Sequence, residues 1–111
     1  MQLKFNVEDG CLIVEMHGEL DHHSAEGVRI KIDNKIEELG VNKLIFDFTG
    51  VNFMDSSGIG VIIGRYKKLK DYDGKVAVVN LKPQIKKIFE LSGLFKILNE
   101  YKTVQEALLS L

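Results

Sequence analysis

Leu3, Phe5 and Val7 alternate with polar residues, and Leu12, Val14 and Met16 do the same a few positions later. A period of two over such lengths predicts two half-buried strands. Between them stands Asp9-Gly10, a dipeptide that accepts the positive φ angles of a tight hairpin turn. From Ala25 the period changes. Ala25, Val28, Ile32, Ile36 and Leu39 recur at spacings of three and four, with Gly40 as a stop and Asp21 or Ser24 as a cap. Residues 44–48 are then apolar except for Asp47, the pattern of a strand covered on both faces.

A second helix carries Ile59, Ile62, Ile63, Tyr66 and Leu69 on one side, and residues 76–79 form another short buried strand. Pro83 suits the first turn of a third helix with Ile85, Ile88 and Phe89, ended by Gly93. Residues 95–98 are expected as a last short strand. Thr103-Val104-Gln105-Glu106 is a capping box leading into Ala107, Leu108 and Leu111. The order is β-β-α-β-α-β-α-β-α. It predicts an α/β fold: one domain, residues 1–111, with a mixed, mostly parallel sheet of about five strands and about four helices. With so few helices, one face of the sheet should be covered more fully than the other.

Composition narrows the function classes. The chain is 45% hydrophobic and 28% charged, enough to build a core and unlike a disordered segment. Net charge is −1 with lysines interspersed among acids, so there is no basic footprint for nucleic acid and no polybasic patch for a membrane. Arg65, Lys67, Lys68 and Lys70 read as the wet end of a helix, where cations suit the dipole. Cys11 is the sole cysteine, which excludes an internal disulfide and a four-cysteine zinc site and marks it as a small buried hydrophobe. No apolar run approaches the length of a membrane span or opens the chain as a signal segment, so a soluble, cytoplasmic protein is expected.

Crossovers of one hand bring the turns after successive parallel strands to one sheet edge. Two polar stretches belong there, Asp21-His22-His23-Ser24 and Asp55-Ser56-Ser57-Gly58. As caps they would be ordinary, because helix starts need acceptors. The helix that the second stretch opens is less so. With Ile59 and its partners on the core side, Ser57, Gly60, Val61 and Gly64 fall opposite. Each glycine costs about 1 kcal/mol against alanine in a helix. A bare face beginning at a serine, with Val61 in its middle, suits the close approach of another protein. Phosphate on that serine adds about −1.5 to −2 charges. A helix N-terminus tolerates them, so the effect falls on the partner rather than on the fold.

Three blocks carry a resemblance: Gly18-Glu19-Leu20-Asp21-His22-His23; Phe53-Met54-Asp55-Ser56-Ser57-Gly58 followed by Gly60; and Leu91-Ser92-Gly93-Leu94-Phe95. Together, and over essentially the whole chain, the sequence resembles the anti-sigma factor antagonists, whose fold is the sulfate-transporter-and-antagonist (STAS) domain. Ile59, where leucine is usual, is the one departure, and it keeps the volume. The resemblance implies that Ser56 is phosphorylated by an anti-sigma factor that is itself a serine kinase, while Ser57 is not the main acceptor. It implies that Asp21 faces the same partner and that Gly58, Gly60 and Val61 lie on the docking helix. Unphosphorylated protein would bind the kinase and free a sigma factor, phosphorylation would end the binding, and a serine phosphatase would restore the serine. The histidine pair and the full-length match favour a sporulation system. An antagonist from a stress-response sigma system is the alternative.

The expected partner-binding set is therefore Asp21, His22, Asp55, Ser56, Ser57, Gly58, Gly60, Val61 and Gly64, with Ser56 as phosphoacceptor. No catalytic residue, cofactor or metal is expected, and the free protein is expected to be a monomer. A hydrolase built on Asp21, His22, His23 and Ser56 is a rival, but Met54 stands where the first glycine of a Gly-x-Ser-x-Gly elbow belongs. Adjacent helical histidines diverge by about 100°, which disfavours joint metal ligation. Gly58, Gly60 and Gly64 do not match the spacing of a phosphate-binding loop or of a dinucleotide fingerprint.

Overall fold

The computed structural model describes all 111 residues. Strand β1 (Gln2–Glu8) and strand β2 (Cys11–Leu20) form the expected hairpin, in which Asp9 and Gly10 take φ of 51° and 77°. There follow α1 (Ala25–Leu39), β3 (Lys43–Met54), α2 (Ser56–Lys70), β4 (Lys75–Val79), α3 (Pro83–Ser92), a single 3-10 turn (Leu94–Lys96), β5 (Asn99–Tyr101) and α4 (Val104–Ser110). The strands lie in the sheet in chain order, β1-β2-β3-β4-β5, with β1 antiparallel to β2 and every other pair parallel. The α/β class and the element order agree with the sequence pattern.

A sheet that grows in one direction through crossovers of one hand collects its crossover helices on one face. Val28, Ile32 and Ile36 of α1, Ile62 and Leu69 of α2, and Ile85 and Phe89 of α3 all pack there, on Leu12, Val14, Leu44, Phe46 and Val78. Phe46, Phe48, Phe89 and Phe95 run through this core as a chain of rings with centroids 5.4–6.4 Å apart. The other face has α4 alone, where Ala107 meets Cys11, Ile13, Ile45, Ala77 and Val79. Coverage is unequal, as expected. Thr103 Oγ1 accepts the Glu106 N–H at 3.0 Å and so starts α4.

Two boundaries differ from the pattern. The segment 95–98 is no strand. Gly93, at φ 79°, turns the chain into the 3-10 turn, whose amides of Lys96 and Ile97 bond back to Gly93 and Leu94, and pairing with β4 begins only at Asn99. Leu94 and Leu98, both buried, stand four apart, so burial here follows a helical period and not an alternating one. Strand β3, expected over 44–48, runs on to Met54 because β2 lies beside it that far, with Leu20 opposite Met54. Its other neighbour, β4, stops opposite Asp47.

Beyond that point the carbonyls of Thr49 and Val51 lack a strand partner and accept hydrogen bonds from Lys82 Nζ at 2.7 and 3.0 Å. Lys82 thus closes the open side of the β3 overhang. Replacing Lys82 with Met should lower the unfolding free energy by about 1 kcal/mol, measured by urea titration, because the stem is kept and only the donor is lost.

Candidate functional site

Parallel pairing of β2 with β3 places the residues after Leu20 beside those after Met54, so the two polar stretches meet at one edge. Asp55 joins them. Its backbone N–H reaches the carbonyl of Leu20 at 3.3 Å. Its Oδ1 accepts the Ser57 N–H at 2.8 Å, the N-cap bond of α2, and its Oδ2 accepts the His22 N–H at 3.2 Å from the other turn. The sequence marked Asp55 as a cap. The second bond, between segments 33 residues apart, comes only with the fold.

The first turn is tied internally. Asp21 Oδ1 accepts the amides of His23 and Ser24 at 2.9 and 3.0 Å, while Ser24 Oγ accepts the Asp21 N–H and donates to the Glu19 carbonyl. The Ser24 amide holds the Asp21 carboxyl below its ordinary value; partial desolvation opposes this and the His23 amide reinforces it. This carboxylate is therefore engaged chiefly by backbone amides and accepts no hydrogen bond from an imidazole. The His22 and His23 rings are exposed and meet edge-on, 5.8 Å apart. That arrangement is not the acid–imidazole–serine relay of the hydrolase alternative.

Ser56, the first residue of α2, is exposed. Ser57 is half-buried and its amide is already capped. The bare face expected beyond them is only partly there. Gly60 is exposed, and a Cβ there would meet nothing within 4 Å. Gly64 is half-buried with equal room for a Cβ. Val61 and Gly58, however, are buried. Gly58 packs on the strand ends, where a Cβ would collide with the Met54 side chain and lie 3.0 Å from Leu20 Cγ. Val61, only 4% exposed, belongs to the main core cluster beneath the α1–α2 junction.

Arg65 departs furthest from expectation. It is not part of a wet helix end but is 6% exposed, with Nε 2.8 Å from Asp33 Oδ1 of α1. The reason for both corrections is that α2 has two buried sides, one on the sheet and one on α1. The buried stripe is Gly58, Val61, Ile62, Arg65 and Leu69. It lies about a quarter of a turn from the stripe of isoleucines that the hydrophobic pattern picks out. An arginine cannot appear in such a pattern. Its one trace in the sequence is its place four residues after Val61.

Between the first turns of α1 and α2 runs a shallow groove of about 260 Å³, lined by Ala25, Glu26, Arg29, Ser57, Gly60 and Val61. Of these, Ala25, Glu26 and Arg29 were not among the expected partner-binding residues. No helix in the chain is long and apolar enough to cross a membrane.

Residues 2–107 match the STAS domain family. An anti-sigma F factor antagonist from Paenibacillus polymyxa is 38% identical over 111 residues, which is 100% of this chain and 95% of the relative. The solved structure of the anti-sigma factor antagonist SpoIIAA in its unphosphorylated form is similar with a TM-score of 0.75 at 32% identity, covering 96% of this chain and 94% of that one. The Bacillus cell fate determinant SpoIIAA in its phosphorylated form has a TM-score of 0.74 at 34% identity, covering 96% of each.

The two glycines should respond oppositely to alanine. Gly58→Ala should cost about 1–3 kcal/mol through overpacking, whereas Gly60→Ala should gain up to about 1 kcal/mol from helix propensity, both measured by thermal and urea unfolding. For Asp21 the folded value lies below the ordinary 3.8, so its stabilising contribution is present above that pH and is lost as the pH falls through the folded value. Asp21→Asn should therefore lower the neutral plateau of a Tm-against-pH profile and flatten its acid limb, so that variant and parent converge at low pH.

Proposed function

This chain belongs to the STAS domain family and is an anti-sigma factor antagonist of the SpoIIAA type, and on that premise we propose that phosphorylation of Ser56 switches its docking. Unphosphorylated, it binds an anti-sigma factor that is also a serine kinase and so frees a sporulation sigma factor for RNA polymerase. The bound kinase phosphorylates Ser56 and lets go, and a serine phosphatase resets the protein. It acts in the cytoplasm, as a monomer when free, by binding rather than by catalysis. Neither nucleic acid nor a membrane is a direct partner, in keeping with a net charge of −1.

One observation carries this reading: the exposed Ser56 hydroxyl opens α2 immediately beside the uncovered Gly60, at the junction of the two turns. Ser57 sits lower, half-buried in the α1–α2 groove, which favours Ser56 as the group a kinase reaches. A phosphate on the first helical residue meets the positive end of the helix dipole, so the fold should carry it. Asp55 keeps its two amide bonds, to Ser57 in its own turn and to His22 in the other, and the added dianion deepens the negative charge that Asp21 and Asp55 already place at these two turns. The docking surface comprises Asp21, His22, Asp55, Ser56, Ser57 and Gly60, with Gly64 at its margin. Gly58 supports it from beneath, and Val61 lies at the floor of its groove.

The test is binding to purified anti-sigma F factor of Paenibacillus polymyxa under ADP and under ATP. The parent should bind under ADP and dissociate under ATP, with mass mapping placing the phosphate on Ser56. Ser56→Ala should bind under both, and Ser56→Asp should bind more weakly than either, though one carboxylate imitates a dianion poorly. Gly60→Arg should abolish binding with little change in Tm. Equal ATP-driven release of the parent and Ser56→Ala would remove Ser56 from its role.

A further inference from the structure

The groove between α1 and α2 is backed by a polar network in a place where apolar contact would serve stability as well. Arg65 is buried against α1, with Nε 2.8 Å from Asp33 Oδ1, and its Nη1 donates to the Val61 carbonyl at 3.3 Å. The Nε–H is not aimed along the line to the carboxylate oxygen, so the contact is a close ion pair more than a well-formed hydrogen bond. The other oxygen, Asp33 Oδ2, lies 3.8 Å from Arg29 Nη1, and Arg29 Nη2 lies 3.6 Å from Glu26 Oε1. The path is continuous. It starts at Val61, passes through Arg65 and Asp33, and returns to Arg29 and Glu26 at the groove.

Stability is a poor reason for such a pair. Burying two charges costs much of what their attraction returns, and well-packed apolar replacements are often as stable or more so. Burial indeed disfavours the charged form of Arg65, and the neighbouring Asp33 works against that. What the pair adds over a Leu–Met contact is direction. Apolar flanks let one helix slide on another, whereas a guanidinium held at once by the Val61 carbonyl and the Asp33 carboxylate accepts one placement of α1 against α2.

We propose that Arg65 and Asp33 are positioning residues for partner docking: they set the width and register of the groove between Ala25 and Arg29 on one side and Ser57 and Gly60 on the other. Neither touches the partner. The proposal rests on the docking reading above, and it deepens that reading by assigning specificity to side chains hidden behind the surface. The pair ties α1 to α2 at their third turns, and the Glu26–Arg29–Asp33 contacts carry that anchor along α1 to the groove, so a partner that spans both first turns meets helices of set register.

The test uses the full chain with Asp33→Leu and Arg65→Met combined. The double variant should be at least as heat-stable as the parent, bind the Paenibacillus polymyxa anti-sigma F factor about tenfold more weakly, and shift the NMR amide signals of Ala25 and Gly60. Loss of stability without loss of binding, or unchanged binding in a folded double variant, overturns the proposal. Should that variant fail to fold, Arg65→Lys, which keeps the charge but loses the fork, must still weaken binding, and parent-like binding by it counts equally against the idea. If the parent itself does not bind, the docking reading fails separately. The amide signals then decide, and unmoved Ala25 and Gly60 in the double variant overturn the positioning role.

Discussion

Parallel strands laid down in chain order, and joined by crossovers of a single hand, leave each successive helix the same face to occupy. That constraint lines up α1, α2 and α3 side by side and presses α1 onto the flank of α2. It loads the heavy core onto one face and leaves the other to a single short helix. It also brings the ends of β2 and β3 together at one edge, where Leu20 lies opposite Met54. The site is built where that pairing ends, from two turns that have no contact along the chain and one carboxylate that bonds to both.

Much of this was legible because local stereochemistry and burial agreed. Asp9-Gly10 specifies a hairpin whatever surrounds it, Pro83 and Gly93 bound α3, and Thr103 caps α4 through its own hydroxyl. Strands β3 and β4 were legible because apolar runs need cover on both faces, whereas β2, expected to be half-buried from its alternation, has Cys11, Leu12, Ile13 and Val14 buried on both faces. The polar turns at the sheet edge followed from crossover handedness alone. The resemblance, and not any local pattern, chose between adjacent serines; their difference in exposure, Ser56 exposed and Ser57 half-buried, comes only with the fold.

What stayed hidden was tertiary in origin. A helical wheel ranks residues by their affinity for one apolar environment, so it found the sheet-facing side of α2 and assigned the rest to water. Val61 and Arg65 are buried by α1, a neighbour that no window of sequence contains. Gly58, which the resemblance placed on the docking helix, is small because the strand ends crowd it, while Gly60 two residues later is small where nothing crowds it. The two look alike in sequence, and only packing separates them. The end of β3 was missed for a related reason: Thr49 and Gly50 look like a loop, yet β2 pairs with Gly50 and the ammonium of Lys82 bonds the Thr49 carbonyl.

That overhang has a consequence for the proposed encounter between a kinase and Ser56. From Asp47, where β4 ends, to Met54 the strand advances seven residues, a rise of about 20 Å. Ser56 therefore opens its helix at the end of a strand extension held by β2 on one side and by Lys82 on the other. A flexible loop would give the same reach, but its segment would have to lose conformational freedom each time it entered another protein's cleft. Here that freedom is lost once, when the chain folds, and association need order little more than side chains.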